Sequence, residues 1–556
     1  MIFMDNLPPQ PNNPTRDQRY NLIKYSLMEQ NRLEDFPYII NNLSPPEDIT
    51  RIANPGEFKN IKIGIIGGGM AGLSAAFELR KLGFDITIFE ALKDRIGGRI
   101  YTYYFNEEKT LYSELGAMRL PVCHETTWHY IDLFNLDTRP FVQSVENGLI
   151  YANDIRVRND SSGINVMEKI YPKYNLTPWE RITPWMDLLD YGYKMQLFSM
   201  PTRVRAELVK VLAKYSPQIL YWDSLNNRQL YELVGLSESA IMMLSNISSF
   251  GSSFNYYNTM DILYEYYTLT FTYLYEIIGG LVKLPEALYN SLVNDTPSEY
   301  PNIPNELLGK VNWQSGTTVN GVFYNYTNDK VVLRYKNDAN TVDEMEEFDY
   351  IVCAIPFSVL RTIEIYPQFS NTKMQAIKEL GYAGAQKTLL LCKERFWEQG
   401  GPNERILGGG SFTDLPILSI WYPSDFKENK QKGVLIASYN FTSDSLRLGN
   451  IPKPTRVDMI KNQVAEVHGL TFEYIDSIVE DYASIQWYNH PQSLGAFSYF
   501  LPGQKRLFSY PVTQPEYNNK VFFAGEHISV SHGWINGAAL TGMKAANSIA
   551  KAAKFK

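Results

Sequence analysis

The stretch NIKIGIIGGGMAGLSAAFELRKLGFDITIFE, Asn60 to Glu90, constrains this chain more than any other. Ile61 to Ile66 is a short apolar run broken only by Lys62 and Gly64, which reads as a buried parallel strand. Gly67, Gly69 and Gly72 follow in GxGxxG spacing, and an Ala-rich helical segment runs from Leu73 to Leu82. Gly83 ends that helix, and Asp85 to Glu90 reads as a second strand with an acid at its tip. Gly67 permits the tight turn, Gly69 lets backbone approach a pyrophosphate, and Gly72 lets helix and strand lie close. Met70 and Ala71 open the helix, whose unpaired N–H groups and partial positive charge suit that pyrophosphate. Glu90, followed by Ala91, would take the ribose hydroxyls. All five parts fall within one unit of about 30 residues, so a bound dinucleotide is expected.

The chain has 556 residues, enough for two to four domains, and its 20% charged content is that of an ordinary globular protein. A net charge of −8 argues against nucleic acid or an anionic membrane as partner. No apolar run approaches the ~20 residues of a spanning helix. The opening MIFMDNLPPQ has no basic segment followed by an apolar one, so no secretory leader is expected and a cytoplasmic location is. Cys123, Cys353 and Cys392 are widely spaced, which speaks against a disulfide framework or a cysteine metal site. His124 and His129 lack an acid or cysteine partner at ligand spacing, so no metal is expected.

Along the chain, residues 1–60 read as an N-terminal extension with a helix near Asn21–Asn31. Asp94 to Arg99 holds a second glycine pair, Gly97 and Gly98, that brings backbone and the Arg99 guanidinium to a phosphate. Short strands are expected at Tyr101–Tyr104 and Leu111–Ser113, and helices over most of Trp128 to Tyr275, including Ala206 to Tyr215 and Leu230 to Leu236. Phe254 to Tyr275 is crowded with Phe and Tyr, which points to helix packing more than to a substrate funnel. Strands follow at Val319–Tyr326, Val331–Tyr335 and Phe348–Pro356, the last a buried strand where an open α/β sheet places its ligand. Lys387–Cys392, Leu418–Tyr422, Gly433–Tyr439 and Ala496–Phe500 alternate like one antiparallel sheet. Lys520 to Glu526 is a late strand ending in Gly525-Glu526, joined by a short loop to a helix from Gly537 to Ala552.

The chain resembles the flavin-dependent amine oxidase family, and within it the L-amino-acid oxidases of snake venoms and bacteria. The motifs that carry this are GGGMAGLSAA (67–76), GGR (97–99), GAMRLP (116–121), EIIGGLVKLP (276–285), QKTLLLCKERFWE (386–398), TDLPILSIWYP (413–423) and VFFAGEHISVSHGWINGAALTG (521–542). They span almost the whole chain in the family's order. The resemblance implies an α/β fold in which a Rossmann-like FAD-binding domain (61–100, 276–380 and 506–556) is interleaved with other parts. These are an antiparallel-sheet substrate domain (101–150 and 381–505) and a helical domain (151–275). It implies FAD near Gly67, Gly69, Met70, Ala71, Gly72, Glu90, Ala91, Gly98, Arg99, Gly116, Ala117, Met118, Arg119, Val319, Gly525, Glu526, Gly533, Trp534 and Ile535.

For the reaction, the resemblance assigns Arg119 to the substrate carboxylate, and a guanidinium is a planar fork suited to that task. A structural ion pair with Glu114 is the competing role for Arg119. Tyr422 would give the carboxylate a second hydrogen bond, Lys387 would hold a water at the flavin and assist oxygen, and Gly533 and Trp534 would wall the amine side. Phe497 stands where an aliphatic pocket residue is usual. Two departures matter: no cysteine follows Cys392, so FAD is expected to be non-covalent, and no histidine lies between His129 and His468 to act as a helical-domain base. The expected reaction is oxidative deamination of L-amino acids, apolar or aromatic in preference, by O2 to 2-oxo acids, ammonia and hydrogen peroxide. A plain amine or polyamine is disfavoured by Arg119; a basic amino acid would need Asp223, Asp261 or Glu265 for its distal ammonium. A homodimer is the expected assembly.

Overall fold

The computed structural model describes residues 8–340, 342–425 and 431–555; the first seven residues, on which the leader reading rests, lie outside them. Strand β1 (Lys62–Ile66) runs into helix α1 (Met70–Lys81), which returns to β2 (Asp85–Phe89). Three distant segments complete the sheet: β3 (Val311–Gln314), β4 (Tyr350–Cys353) and β5 (Val521–Phe523). The order is β3-β2-β1-β4-β5 and every pairing is parallel. The order reverses between β1 and β4, so a crevice opens at their carboxyl ends, where open α/β sheets bind ligands. Helix α2 (Ile535–Lys554) crosses α1 on one face of this sheet. The crossing is close because Gly542 has no Cβ, which would stand 2.3 Å from the Ala71 carbonyl oxygen.

A separate seven-stranded sheet forms around Ala385–Cys392 and Gly433–Phe441, which pair antiparallel along their length. The hairpin Leu149–Ala152 and Ile155–Arg158 joins it through Gly410–Thr413, so the chain leaves this sheet at Arg158 and not at residue 150. Helices fill most of 164–267.

Four expectations need correction. Phe348–Pro356 is not one strand: the chain changes sheets at Asp349, whose carboxylate accepts from Lys62 N at 3.0 Å. Glu344–Phe348 pairs antiparallel with Lys330–Asn337, while β4 joins the parallel sheet. Ala206 to Tyr215 holds only a 3₁₀ turn, Ala206–Val209, after which Lys210 is extended. The Tyr215 hydroxyl donates to the Lys210 carbonyl and so satisfies in a loop the group a helix would have used. Phe497–Ser498 pairs only with Tyr382–Ala383, outside the large sheet. The N-terminal helix is Arg16–Glu29, earlier than expected, because Thr15 and Gln18 form a capping box at its start. Among the described residues no helix is long and apolar enough to cross a membrane.

Candidate active site

One cavity of about 970 Å³ runs from the carboxyl ends of β1 and β4 into the space between the two sheets and the helices. Every residue expected from sequence to meet cofactor or substrate lines it, except Gly72, Tyr422 and two of the acids considered for a distal ammonium, Asp223 and Asp261. Gly72 lies one layer behind: a Cβ there would be 2.0 Å from the Gly67 carbonyl oxygen, so its role is to let α1 lie against the turn.

The sheet end is built for a dinucleotide. Glu90 accepts from Gly68 N and Leu92 N, both at 2.8 Å, which fixes its carboxylate at the tip of β2. Gly69 and Gly98 face each other across a backbone bridge between Gly69 and Gly97, and a Cβ on Gly69 would meet nothing closer than the Gly98 Cα at 3.9 Å. That cleft beside the α1 N-terminus has the room and the N–H donors a pyrophosphate needs. Arg99 Nη1 meets Glu526 Oε1 at 2.7 Å, and Glu526 also accepts from Gly533 N at 2.9 Å and from the Ser498 hydroxyl at 2.7 Å. Burial pushes the Glu526 carboxyl up, but Arg99, His532, His527 and the Gly533 N–H outweigh it and hold it at about 2. Val319 lines the same end from the strand Thr317–Asn325 of a separate four-stranded sheet. These groups fit a flavin dinucleotide. None of Cys123, Cys353 and Cys392 lines the cavity.

At the other end, Lys387 is 1% exposed on a wholly buried strand. Its ammonium donates to Gly116 O at 2.7 Å and Glu114 O at 3.3 Å, and lies 4.3 Å from the Tyr439 ring centroid. Burial pulls Lys387 well below the ordinary lysine range and pushes the nearby Glu114 carboxyl up, each partly restored by the other's charge. The Glu114 carboxylate itself is held by Thr102 and Leu281 N, so it is not the ion-pair partner of Arg119.

Arg119 donates to Gln143 Oε1 at 2.6 Å and stands 5.1 Å from the ring centroids of both Phe271 and Trp421. Among the described residues no carboxylate bonds to it, and burial lowers it to about 10. A guanidinium in an aromatic box without a carboxylate partner has donors left for an anion.

Tyr422 is not in this site. Its hydroxyl shares hydrogen bonds with Ser411 Oγ at 2.7 Å and His468 Nε2 at 2.9 Å, inside a different core. The reason is strand alternation: Trp421 faces Arg119, so its neighbour must face the other way. The tyrosine beside Arg119 is Tyr439, which sequence reasoning missed. It stands two residues before Phe441, also on the cavity wall, and that alternation in Gly433–Phe441 was the available signal. Trp534 lies edge-on to Phe271 at 5.5 Å, and Phe497 stacks on Phe254 at 6.2 Å, both on the cavity wall. Of the three acids considered for a distal ammonium, Asp223 caps the Gln504–Phe508 helix and Asp261 binds Phe500 N and His532. Only Glu265 faces the cavity.

Residues 70–550 match the family model of flavin containing amine oxidoreductases. The L-amino-acid oxidase of Naja atra is 29% identical over 523 residues, covering 91% of this chain and 92% of its own. That of Crotalus adamanteus is 27% identical over 512 residues, covering 91% and 89%. Among solved structures, putrescine oxidase bound to putrescine has a TM-score of 0.64 at 15% identity, covering 88% of this chain and 98% of that one, which speaks for the fold alone.

Proposed function

This chain belongs to the flavin containing amine oxidoreductase family, and from that premise we propose that it oxidises L-amino acids to 2-oxo acids, with release of ammonia and hydrogen peroxide. The observation that carries the reading is Arg119. It is a guanidinium on the cavity wall, boxed by Phe141, Phe271 and Trp421, with one neutral partner. A plain amine has no use for such a group; an α-carboxylate does.

When bound, the flavin would accept two electrons from substrate and pass them on to oxygen, which becomes hydrogen peroxide. The chain's own residues do the rest. Glu90, the Gly67–Gly72 turn and the Arg99–Glu526 pair hold the dinucleotide without a covalent bond. Arg119, with the Tyr439 hydroxyl, anchors the carboxylate and so fixes which hydrogen on Cα faces the oxidant. Gly533, Trp534 and Phe497 flank the amine, and Lys387 places a positive charge where reduced oxygen develops negative charge. The aromatic wall of Phe254, Phe441 and Phe497 favours apolar and aromatic side chains. The three-part division into FAD-binding, substrate-binding and helical regions is retained in this reading, with the first substrate segment extended to Arg158. A peroxide assay over the twenty L-amino acids and their decarboxylated amines tests it. Peroxide from the amines but from no amino acid would replace this reading by an amine oxidase.

A further inference from the structure

Glu265 is the one acid on the wall near Arg119 that nothing above employs. Among the acids lining the cavity, Glu90 is held by backbone N–H groups, Glu526 by Arg99, and Asp190 by Lys194 and Tyr266. The carboxylate of Glu265, on the helix Thr259–Tyr267, accepts one hydrogen bond among the described residues, from Trp534 Nε1 at 3.2 Å. Trp534 touches Phe271, and Phe271 touches the Arg119 guanidinium. A carboxyl and a guanidinium therefore border one aromatic pair on the wall of the same cavity, close enough that each feels the other's charge.

We propose that Arg119 and Glu265 form a two-ended seat for an amino-acid zwitterion, in which Glu265 accepts a proton from the α-ammonium. The inference rests on the amino-acid reading and adds to it the group that readies the amine. With the carboxylate on Arg119, the ammonium brings Glu265 the cation it lacks a direct contact with among the described residues. In the step, an N–H bond of the ammonium breaks, the electron pair stays on nitrogen, and the proton forms an O–H bond on Glu265. The neutral amine then carries the lone pair that loss of hydride from Cα requires, for which the bound flavin would be the acceptor. An ordinary glutamate is too weak a base for this. Burial raises Glu265 to about 8, with Asp261 pushing the same way and the Trp534 N–H and Arg119 opposing, which brings donor and acceptor much closer in basicity. The other groups facing it are the phenols of Tyr266 and Tyr499, both pushed up by burial and so neutral at working pH. The chain thus has an acceptor on its helical region without a histidine there.

The test is anaerobic stopped-flow reduction of the FAD-loaded enzyme by L-leucine, from about pH 6.5 to 10, in wild type, Glu265→Gln and Glu265→Asp. Near neutrality Glu265→Gln should reduce its flavin about 10²-fold more slowly, in line with loss of a general base. The deficit should close as pH rises, because the substrate then arrives already deprotonated. Glu265→Asp should keep an enzyme ionisation with a lower plateau. A deficit equal at every pH would make Glu265 structural, and no deficit would leave proton removal to solvent; either result overturns the proposal. If Glu265→Gln does not retain FAD, the aspartate variant decides, and a pH profile identical to wild type refutes the role. A wild type reduced by isoamylamine but by no L-amino acid would instead bring down the amino-acid reading, and the seat with it.

Discussion

Arg99 Nη1 lies 2.7 Å from Glu526 Oε1, tying the second glycine turn, at one end of the sheet's chain order, to the strand at the other. The contact joins residues 427 apart in sequence on the wall of the cavity. Glu526 titrates at about 2 in the folded protein against ~4.3 when unfolded. A depressed carboxyl stabilises the fold above its unfolded pKa, and that contribution disappears as pH falls from about 4.3 toward 2. Two units correspond to about 3 kcal/mol. Urea unfolding of the wild type should therefore weaken by that order across this window, and Glu526→Gln should show a smaller acid loss. Identical acid slopes in the two proteins would show that the pair does not carry this linkage.

Lys387→Met should slow reoxidation of the reduced flavin by oxygen far more than reduction by substrate. The amine sits on carbonyl oxygens of Glu114 and Gly116 at the cavity wall, and positive charge held there is worth most where new negative charge appears. Separate stopped-flow measurement of the two half-reactions reads this out. Equal losses in both would mark Lys387 as a structural clamp between the strand and the 114–118 segment.

The flavin should leave the protein on acid precipitation. All three cysteines are buried in cores, and none faces the cavity. A yellow pellet with a clear supernatant would show a covalent link through another residue.

Much of this was legible in the sequence, and for a physical reason. The β1–α1–β2 unit is local: its period, glycines and terminal acid act on neighbours in the chain, so reading them in order reads the structure. The same holds for Gly98, Arg99 and Gly525, which backbone geometry fixes. What was not legible depends on long-range pairing. Asp349 splits a continuous apolar run because Lys62, on another strand, takes its carboxylate. Tyr422 and Tyr439 both lie at or next to strands of the same sheet, and the packing of Lys453–His468 against one sheet face decides which tyrosine is turned away from the cavity. Glu265 looked like one of three equivalent acids until Asp223 and Asp261 were seen with partners of their own.

The two tyrosines make a paired prediction. Tyr439→Phe should raise KM for L-amino acids, since it removes a hydroxyl from the Arg119 wall; a hydrogen bond to a charged group is worth ~1.5–3 kcal/mol, so about 10-fold or more. Tyr422→Phe should leave KM unchanged and lower thermal stability, because Ser411 and His468 lose a buried partner. The reverse pattern would return the carboxylate role to Tyr422.

Arg119 should set the class of substrate. Its aromatic box keeps water from diluting the charge, and its guanidinium already stands at a depressed value because of that burial. Removing one side of a buried charge pair costs ~3–5 kcal/mol. Since about 1.36 kcal/mol is tenfold in rate, Arg119→Ala should lose about 10²–10⁴ in kcat/KM for amino acids. The decarboxylated amine never made that contact, so its slow oxidation should hold steady or improve once the cation is gone. Gln143, freed of its donor, remains as a neutral partner and gives no reason for the amine to suffer. Flavin content measured in the variant separates loss of the anchor from loss of the fold. A parallel decline of both substrates with flavin still bound would mean that Arg119 holds the cavity together and recognises nothing.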